Sequence, residues 1–221
     1  MFDNIAHRYD FLNHLLSMGI DNVWRVKAMR FIRESKPERL LDIATGTGDL
    51  AFEARKQMPK LHITGLDLSE GMLSKAREKA TSRKMVDMEF IKGDSENLNF
   101  EDTTFDAVSV AFGVRNFENL EAGLSEIYRV LKPGGKLAVL EFSKPKAFPV
   151  KQIFNFYFRQ VLPRTGKMIS KDSRAYEYLP ESVQAFPEGK DFIAILERIG
   201  FKQCKDQALT FGICSLYTAE K

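Results

Sequence analysis

The chain is poor in the residues that build staples and metal sites. It has 2 cysteines, Cys204 and Cys214, both near the C-terminus. That usage suits a reducing compartment and ordinary buried thiols, not a disulfide framework. Its 3 histidines, His7, His14 and His62, fall at no metal-ligand spacing, so no metal is expected. No apolar run reaches the roughly 18–20 residues that a spanning helix requires. The opening residues, MFDNIAHRYD, lack the basic-then-apolar layout of a secretory leader, so a cytoplasmic location is expected. The net charge of +3 is too small to argue for nucleic acid. An Asn/Asp-Pro-Pro-aromatic motif, which a nucleic-acid methylase would carry, is missing too. Repeats and low-complexity tracts are absent. What remains is 221 residues, 44% of them hydrophobic, enough for one domain with a sizeable core.

The most informative stretch is Leu40 to Asp49, LLDIATGTGD. An apolar strand ends in Asp42, the chain turns through Gly46 and Gly48, and a helix begins near Asp49. Glycines at such a turn let the backbone approach a ligand closely. The next apolar strand ends in Asp67, 21 positions after Gly46. An acid at that tip is placed to accept from ribose hydroxyls. A third glycine is lacking, since position 51 is Ala, and no phosphate-binding lysine follows. The pattern therefore favours a nucleoside without phosphates over a dinucleotide or nucleoside triphosphate. Asp42 can orient the loop or meet a ligand amine. Asp94-Ser95 follows the third strand, at the carboxyl edge where such sheets bind ligands.

Strand-like runs are expected at Arg39–Ala44, Leu61–Asp67, Met88–Lys92, Phe105–Phe112 and Lys136–Phe142. Helical stretches lie between them at Leu50–Gln57, Glu70–Arg83 and Leu120–Leu131. Ser69 is the expected N-cap of the second, and Pro133-Gly134-Gly135 the stop of the third. Alternating β and α with short connections predicts a parallel sheet with helices on both faces. A last helix, Gly189–Ile199, precedes runs Phe201–Gln207 and Thr210–Ala219, whose short connection suits an antiparallel hairpin.

Two pieces stand outside this alternation: residues 1–36, read as a helical cap, and an insertion over 145–187. Between Lys144 and Arg174 eight basic residues face one acid, Asp172, so the segment carries +7. Val150, Ile153, Phe154, Tyr157, Phe158 and Val161 form a stripe at helical spacing. The stripe fits either a helix packed on its own core or a lid or membrane-facing element.

Longer stretches carry a family resemblance. Tyr9-Asp10-Phe11-Leu12-Asn13 leads to Trp24-Arg25. Phe112-Gly113-Val114-Arg115-Asn116 follows the fourth strand. Arg129 to Gly135 runs on to Leu140-Glu141-Phe142-Ser143, and Tyr178 to Ser182 lies in the insertion. Together they resemble the menaquinone/ubiquinone-biosynthesis C-methyltransferase family (UbiE/MenG). The resemblance implies a Rossmann-like class I methyltransferase, with a mostly parallel seven-stranded sheet, an antiparallel C-terminal hairpin and helices on both faces. It implies S-adenosyl-L-methionine as methyl donor and a prenylated quinol as acceptor. Gly46, Thr47 and Gly48 would line the methionine and ribose portion, Asp67 would hold the ribose, and Asp94 and Ser95 would flank the adenine. The family usually has His three residues before the Trp, where this chain has Asp21.

The implied reaction needs an activated ring carbon. A phenol of pKa about 10 is largely protonated at neutral pH, and its phenolate is the far better carbon nucleophile. Arg115 and Asn116 are the expected catalytic pair, Arg115 as a fixed charge and Asn116 as a donor to a ring oxygen. An ion pair of Arg115 with Asp42 or Asp94 is the alternative. Tyr9 would relay a proton or pack in the core. Glu141 is either a site residue or an ion-pair partner. The basic, aromatic insertion suggests peripheral contact with an anionic membrane surface. Demethylmenaquinol is the expected acceptor, with the ubiquinone-pathway quinol or a soluble phenolic molecule as alternatives, and a monomer or homodimer stays open.

Overall fold

The computed structural model describes residues 19–85, 87–156 and 174–221. Tyr9, Asp10 and Asn13, and the stripe beyond Phe156, lie outside them. Helix α1 spans Asp21–Arg33, and β1 (Arg39–Ile43) leads through the glycine loop into α2 (Asp49–Gln57). Next come β2 (His62–Asp67), α3 (Glu70–Ser82), β3 (Met88–Lys92) and β4 (Phe105–Ala111). A 3₁₀ turn, Val114–Asn116, precedes α4 (Leu120–Val130) and β5 (Leu131–Phe142). The insertion contributes α5 (Val150–Phe156) and α6 (Arg174–Ala185). The chain ends with α7 (Lys190–Ile199), β6 (Lys202–Leu209), a 3₁₀ turn at Thr210–Gly212, and β7 (Cys214–Glu220).

The seven strands form one sheet in the order β3-β2-β1-β4-β5-β7-β6. The first five are parallel, with Leu40 opposite both Ile63 and Ala107. Strand β7 enters antiparallel between β5 and β6. Successive side chains of a strand point to opposite faces, and both faces are covered. Leu40, Ala107, Ala138 and Leu140 pack under α1, α2 and α3 with Trp24, Met29, Phe52 and Leu73. Leu41, Val108 and Val139 pack under α4 and α7 with Leu124, Ile127, Phe192 and Leu196. Strand order reverses between β1 and β4, so the loops after them part and leave a crevice at the carboxyl edge.

Two local expectations differ. Helix α4 stops at Val130, before the Pro-Gly-Gly, and β5 already pairs at Leu131 with Phe105. The register then jumps, Ala107 pairing with Lys136, so the intervening residues bulge out of the strand. Gly134, at φ +77, turns that bulge, and its N–H donates to the Lys221 carbonyl at 2.9 Å. In the described part of the stripe, Phe154 is buried but Ile153 is 64% exposed. The expected N-cap is present: Ser69 Oγ accepts from the Met72 N–H at 3.3 Å.

Candidate active site

The loop after β1 is tied down by two aspartates. Asp42 is fully buried, and its carboxylate accepts from Ser109 Oγ and from Thr45 Oγ1, each at 2.6 Å. Burial pushes its pKa up to about 6, against the pull of those hydroxyls and of Arg25; nearby Asp67 adds to the rise. Asp67, at the tip of β2, accepts from the Gly46 N–H at 2.8 Å and the Ser69 N–H at 2.9 Å. It therefore joins the first loop to the start of α3. Gly46 stands at φ +56, a left-handed turn that costs a glycine little.

These loops wall a cleft of roughly 270 Å³. Gly46, Asp67, Asp94 and Ser95 lie on its wall, with Leu68, Met72 and Phe117 as apolar surfaces and Asn116 at another side. A smaller recess shares Ala44, Gly46, Ala111 and Phe112 with it and adds Arg25, Asp42, Thr47 and Asp49. Gly48 is on neither wall. At φ +88 it caps α2, and a Cβ there would come within 2.8 Å of the Phe52 ring, so it serves the turn and its packing. Arg25 is buried, 2.7 Å from Asp21 and 3.4 Å from Asp49. Lys79 also reaches Asp49, at 3.1 Å. The donor set suits a cationic nucleoside: a carboxylate for hydroxyls, apolar sides for a flat ring, and acids that outnumber bases around the recess.

Past the recess the chain folds back on itself. Phe112 adopts φ +57, and its carbonyl accepts from both Arg115 and Asn116, at 2.5 and 3.4 Å. Arg115 pairs with Glu141 at 2.7 Å, not with Asp42 or Asp94. Both side chains of that pair are buried, and Arg115 Nε and Glu141 Oε2 have no hydrogen-bond partner among the described residues. Burial raises the Glu141 pKa, and Arg115 opposes the rise. Asn116 Oδ1 accepts from the Tyr178 hydroxyl at 3.0 Å. Trp24 packs on Phe112 and Phe142 and donates its indole N–H to Thr210 Oγ1 at 2.8 Å.

A family model described as the ubiE/COQ5 methyltransferase family matches residues 1–221. The chain belongs to that family. A protein of Bacteroides fragilis, named demethylmenaquinone methyltransferase, is 49% identical over all of this chain and 91% of its own length. A Geobacter sulfurreducens protein, named ubiquinone/menaquinone biosynthesis C-methyltransferase UbiE, is 47% identical over all of this chain and 87% of its own. In fold, the chain resembles human N-acetylserotonin methyltransferase in complex with SAM. The TM-score is 0.65 at 19% identity, covering 97% of this chain and 55% of that one.

Membership makes the chain an S-adenosylmethionine-dependent methyltransferase with the Rossmann-like sheet described above. Several wall residues of this family member escaped the sequence reading. Leu68, before α3, and Met72, in its first turn, carry no motif that marks them as wall residues. Arg25 was visible only as part of a motif, and the cue was its buried partner Asp21, which stands where the family usually has His. Among the described residues no group of three or more His, Cys, Asp or Glu could hold a metal. No described helix is long and apolar enough to cross a membrane.

Proposed function

We propose that this methyltransferase moves the methyl group of S-adenosylmethionine to a ring carbon of a prenylated demethyl-quinol, demethylmenaquinol, in respiratory quinone biosynthesis. The observation that carries the reading is Asn116. It belongs to the FGVRN segment and lines the same cleft as Asp67, so a ring oxygen held by its amide lies in the cleft that takes the donor's ribose. The donor's ribose hydroxyls would rest on Asp67, its adenine between Leu68 and the Asp94-Ser95 turn, and its methionine end in the recess beside Arg25 and Asp49.

In this reading the sulfonium supplies the methyl group. The ring carbon forms the new C–C bond as the C–S bond breaks, and the ring C–H proton is then lost to restore aromaticity. The chain's part is to favour phenolate over phenol. Asn116 Nδ2 donates to the ring oxygen, while Arg115, which lines neither the cleft nor the recess and is paired with Glu141, holds the Phe112 carbonyl and with it the turn that carries Asn116. Phe112, Phe142 and Trp24 keep that end apolar, which strengthens each polar contact within it.

The insertion, 145–187, completes the same domain as a lid, with residues 1–36 as a cap. A product with a polyprenyl tail partitions into lipid, so the enzyme meets it at the bilayer surface. Phe148, Ile153 and Phe156 are 81%, 64% and 64% exposed, close to Lys146 and Lys151 in sequence. They supply insertable groups and attraction to anionic headgroups. The deciding experiment is incubation with labelled S-adenosylmethionine and the quinol precursors of both pathways, followed by mass analysis. Methylation of the demethylmenaquinol precursor supports the reading. Labelling of the ubiquinone precursor alone moves the enzyme to that pathway, and labelling of neither overturns the quinol assignment.

A further inference from the structure

The hydrogen bonds around the Asn116 carboxamide favour one of its two orientations. Its nitrogen lies 3.4 Å from the Phe112 carbonyl, which can only accept. Oδ1 must therefore face the opposite side, where the Tyr178 hydroxyl stands 3.0 Å away. An amide oxygen only accepts, so Tyr178 is the donor. The two residues are 62 positions apart, one on the 3₁₀ turn after β4 and the other on α6 of the insertion.

We propose that Tyr178 is the positioning residue of the methyl-acceptor site: it locks the Asn116 amide so that the second Nδ2–H faces the cleft and meets the oxygen of the reacting ring. This rests on the quinol reading given above. The lock matters because the other flip would turn Oδ1 toward the ring. A carbonyl oxygen there repels a developing oxyanion and accepts from the neutral phenol, so it favours the unreactive form. The Phe112 carbonyl alone holds the amide weakly, because its 3.4 Å contact is long and it also serves Arg115. Donation from Tyr178 also polarises the amide and sharpens its N–H as a donor. The insertion thereby enters the chemistry and is more than a cover.

Tyr178→Phe keeps the ring and removes only the hydroxyl. Removing a whole oxyanion donor costs roughly 10²–10³ in kcat. Releasing the lock leaves some amides correctly turned, so Tyr178→Phe should lower kcat about tenfold at saturating donor. S-adenosylmethionine affinity should not change. A soluble, short-tailed quinol keeps membrane docking out of the assay. In the double variant with Asn116→Ala, the loss should be no larger than for Asn116→Ala alone. A second readout needs no turnover. The Asn116 side-chain amide pair, identified by its disappearance in Asn116→Ala, should shift or broaden in the 15N spectrum of Tyr178→Phe. An unmoved amide pair, a raised KM with wild-type kcat, or multiplying losses in the double variant would each overturn the proposal. If the wild type leaves the quinol unmethylated, the substrate reading falls, while the amide spectrum still decides the role of Tyr178.

Discussion

Asp42 is a carboxylate shut away from water and held by two hydroxyls. Its pKa rises from 3.8 to about 6, so the folded protein binds its proton more tightly than the unfolded chain does. The sign follows: Asp42 favours the fold most below its unfolded pKa, and that contribution is lost as pH rises through the folded value. A shift of about two units corresponds to roughly 3 kcal/mol. Asp42→Asn should flatten the stability profile between about pH 4 and pH 6, read by urea denaturation at several pH values. An unchanged profile would mean that Asp42 is not the titrating group. Asp67 lines the cleft. Asp67→Ala removes the carboxylate that the proposed function sets against the ribose and releases the Gly46 and Ser69 N–H groups. Calorimetry should show donor affinity weaker by about 2–3 kcal/mol; a dissociation constant near wild type would remove the ribose from Asp67. Glu141 is the counter-charge of Arg115. Glu141→Ala strands a buried guanidinium and should cost about 3–5 kcal/mol in chemical denaturation. A loss below about 1 kcal/mol, the range of exposed pairs, would place the pair in water.

At the scale of elements, the cleft depends on how closely the loops after β1 and β4 approach. Gly113 lets them touch. A Cβ there would lie 2.5 Å from the Ala44 Cβ and 3.1 Å from Val110 Cγ1. Ala44 itself stands at φ +50, a conformation that glycine adopts at less cost. Gly113→Ala should lower stability by about 1–3 kcal/mol through overpacking. Adding Ala44→Gly should recover most of it, since the second change removes the colliding methyl. Thermal melts of the single and double variants check this, and a double no more stable than Gly113→Ala would rule out that contact.

At the scale of the whole molecule, the insertion's basic residues do not all remain available. Lys144 Nζ already donates to the Gln184 carbonyl at 3.1 Å, and its backbone N–H to Glu188 at 2.7 Å, which fastens the root of the insertion to its far end. Among the described residues, Lys146 and Lys151 are exposed. A lysine close to an anionic leaflet is worth roughly 1 kcal/mol, so binding should be weak, reversible and salt-sensitive. The enzyme should co-sediment with anionic but not neutral liposomes, and Lys146→Glu with Lys151→Glu should remove most of that binding. Equal binding to both lipid types would make the insertion a solvated lid alone.

What the sequence determined by itself was local or periodic. The Gly46-to-Asp67 spacing, the Ser69 cap and the alternation of strands and helices each follow from neighbours in the chain. They led to the sheet, to the Gly46 and Asp67 wall residues of the cleft and, through the longer motifs, to the family. The acceptor side was different. Arg115 meets Glu141 because β4 and β5 pair with Ala111 opposite Leu140, and a register between strands is set by packing on both faces. The Pro-Gly-Gly of β5 became a bulge because Leu131 had already paired with Phe105. Tyr178 reaches Asn116 only because α6 packs on the 3₁₀ turn after β4. The motifs of the family resemblance named the residues on that side, but not their partners, because each partner lies across the sheet or on another layer.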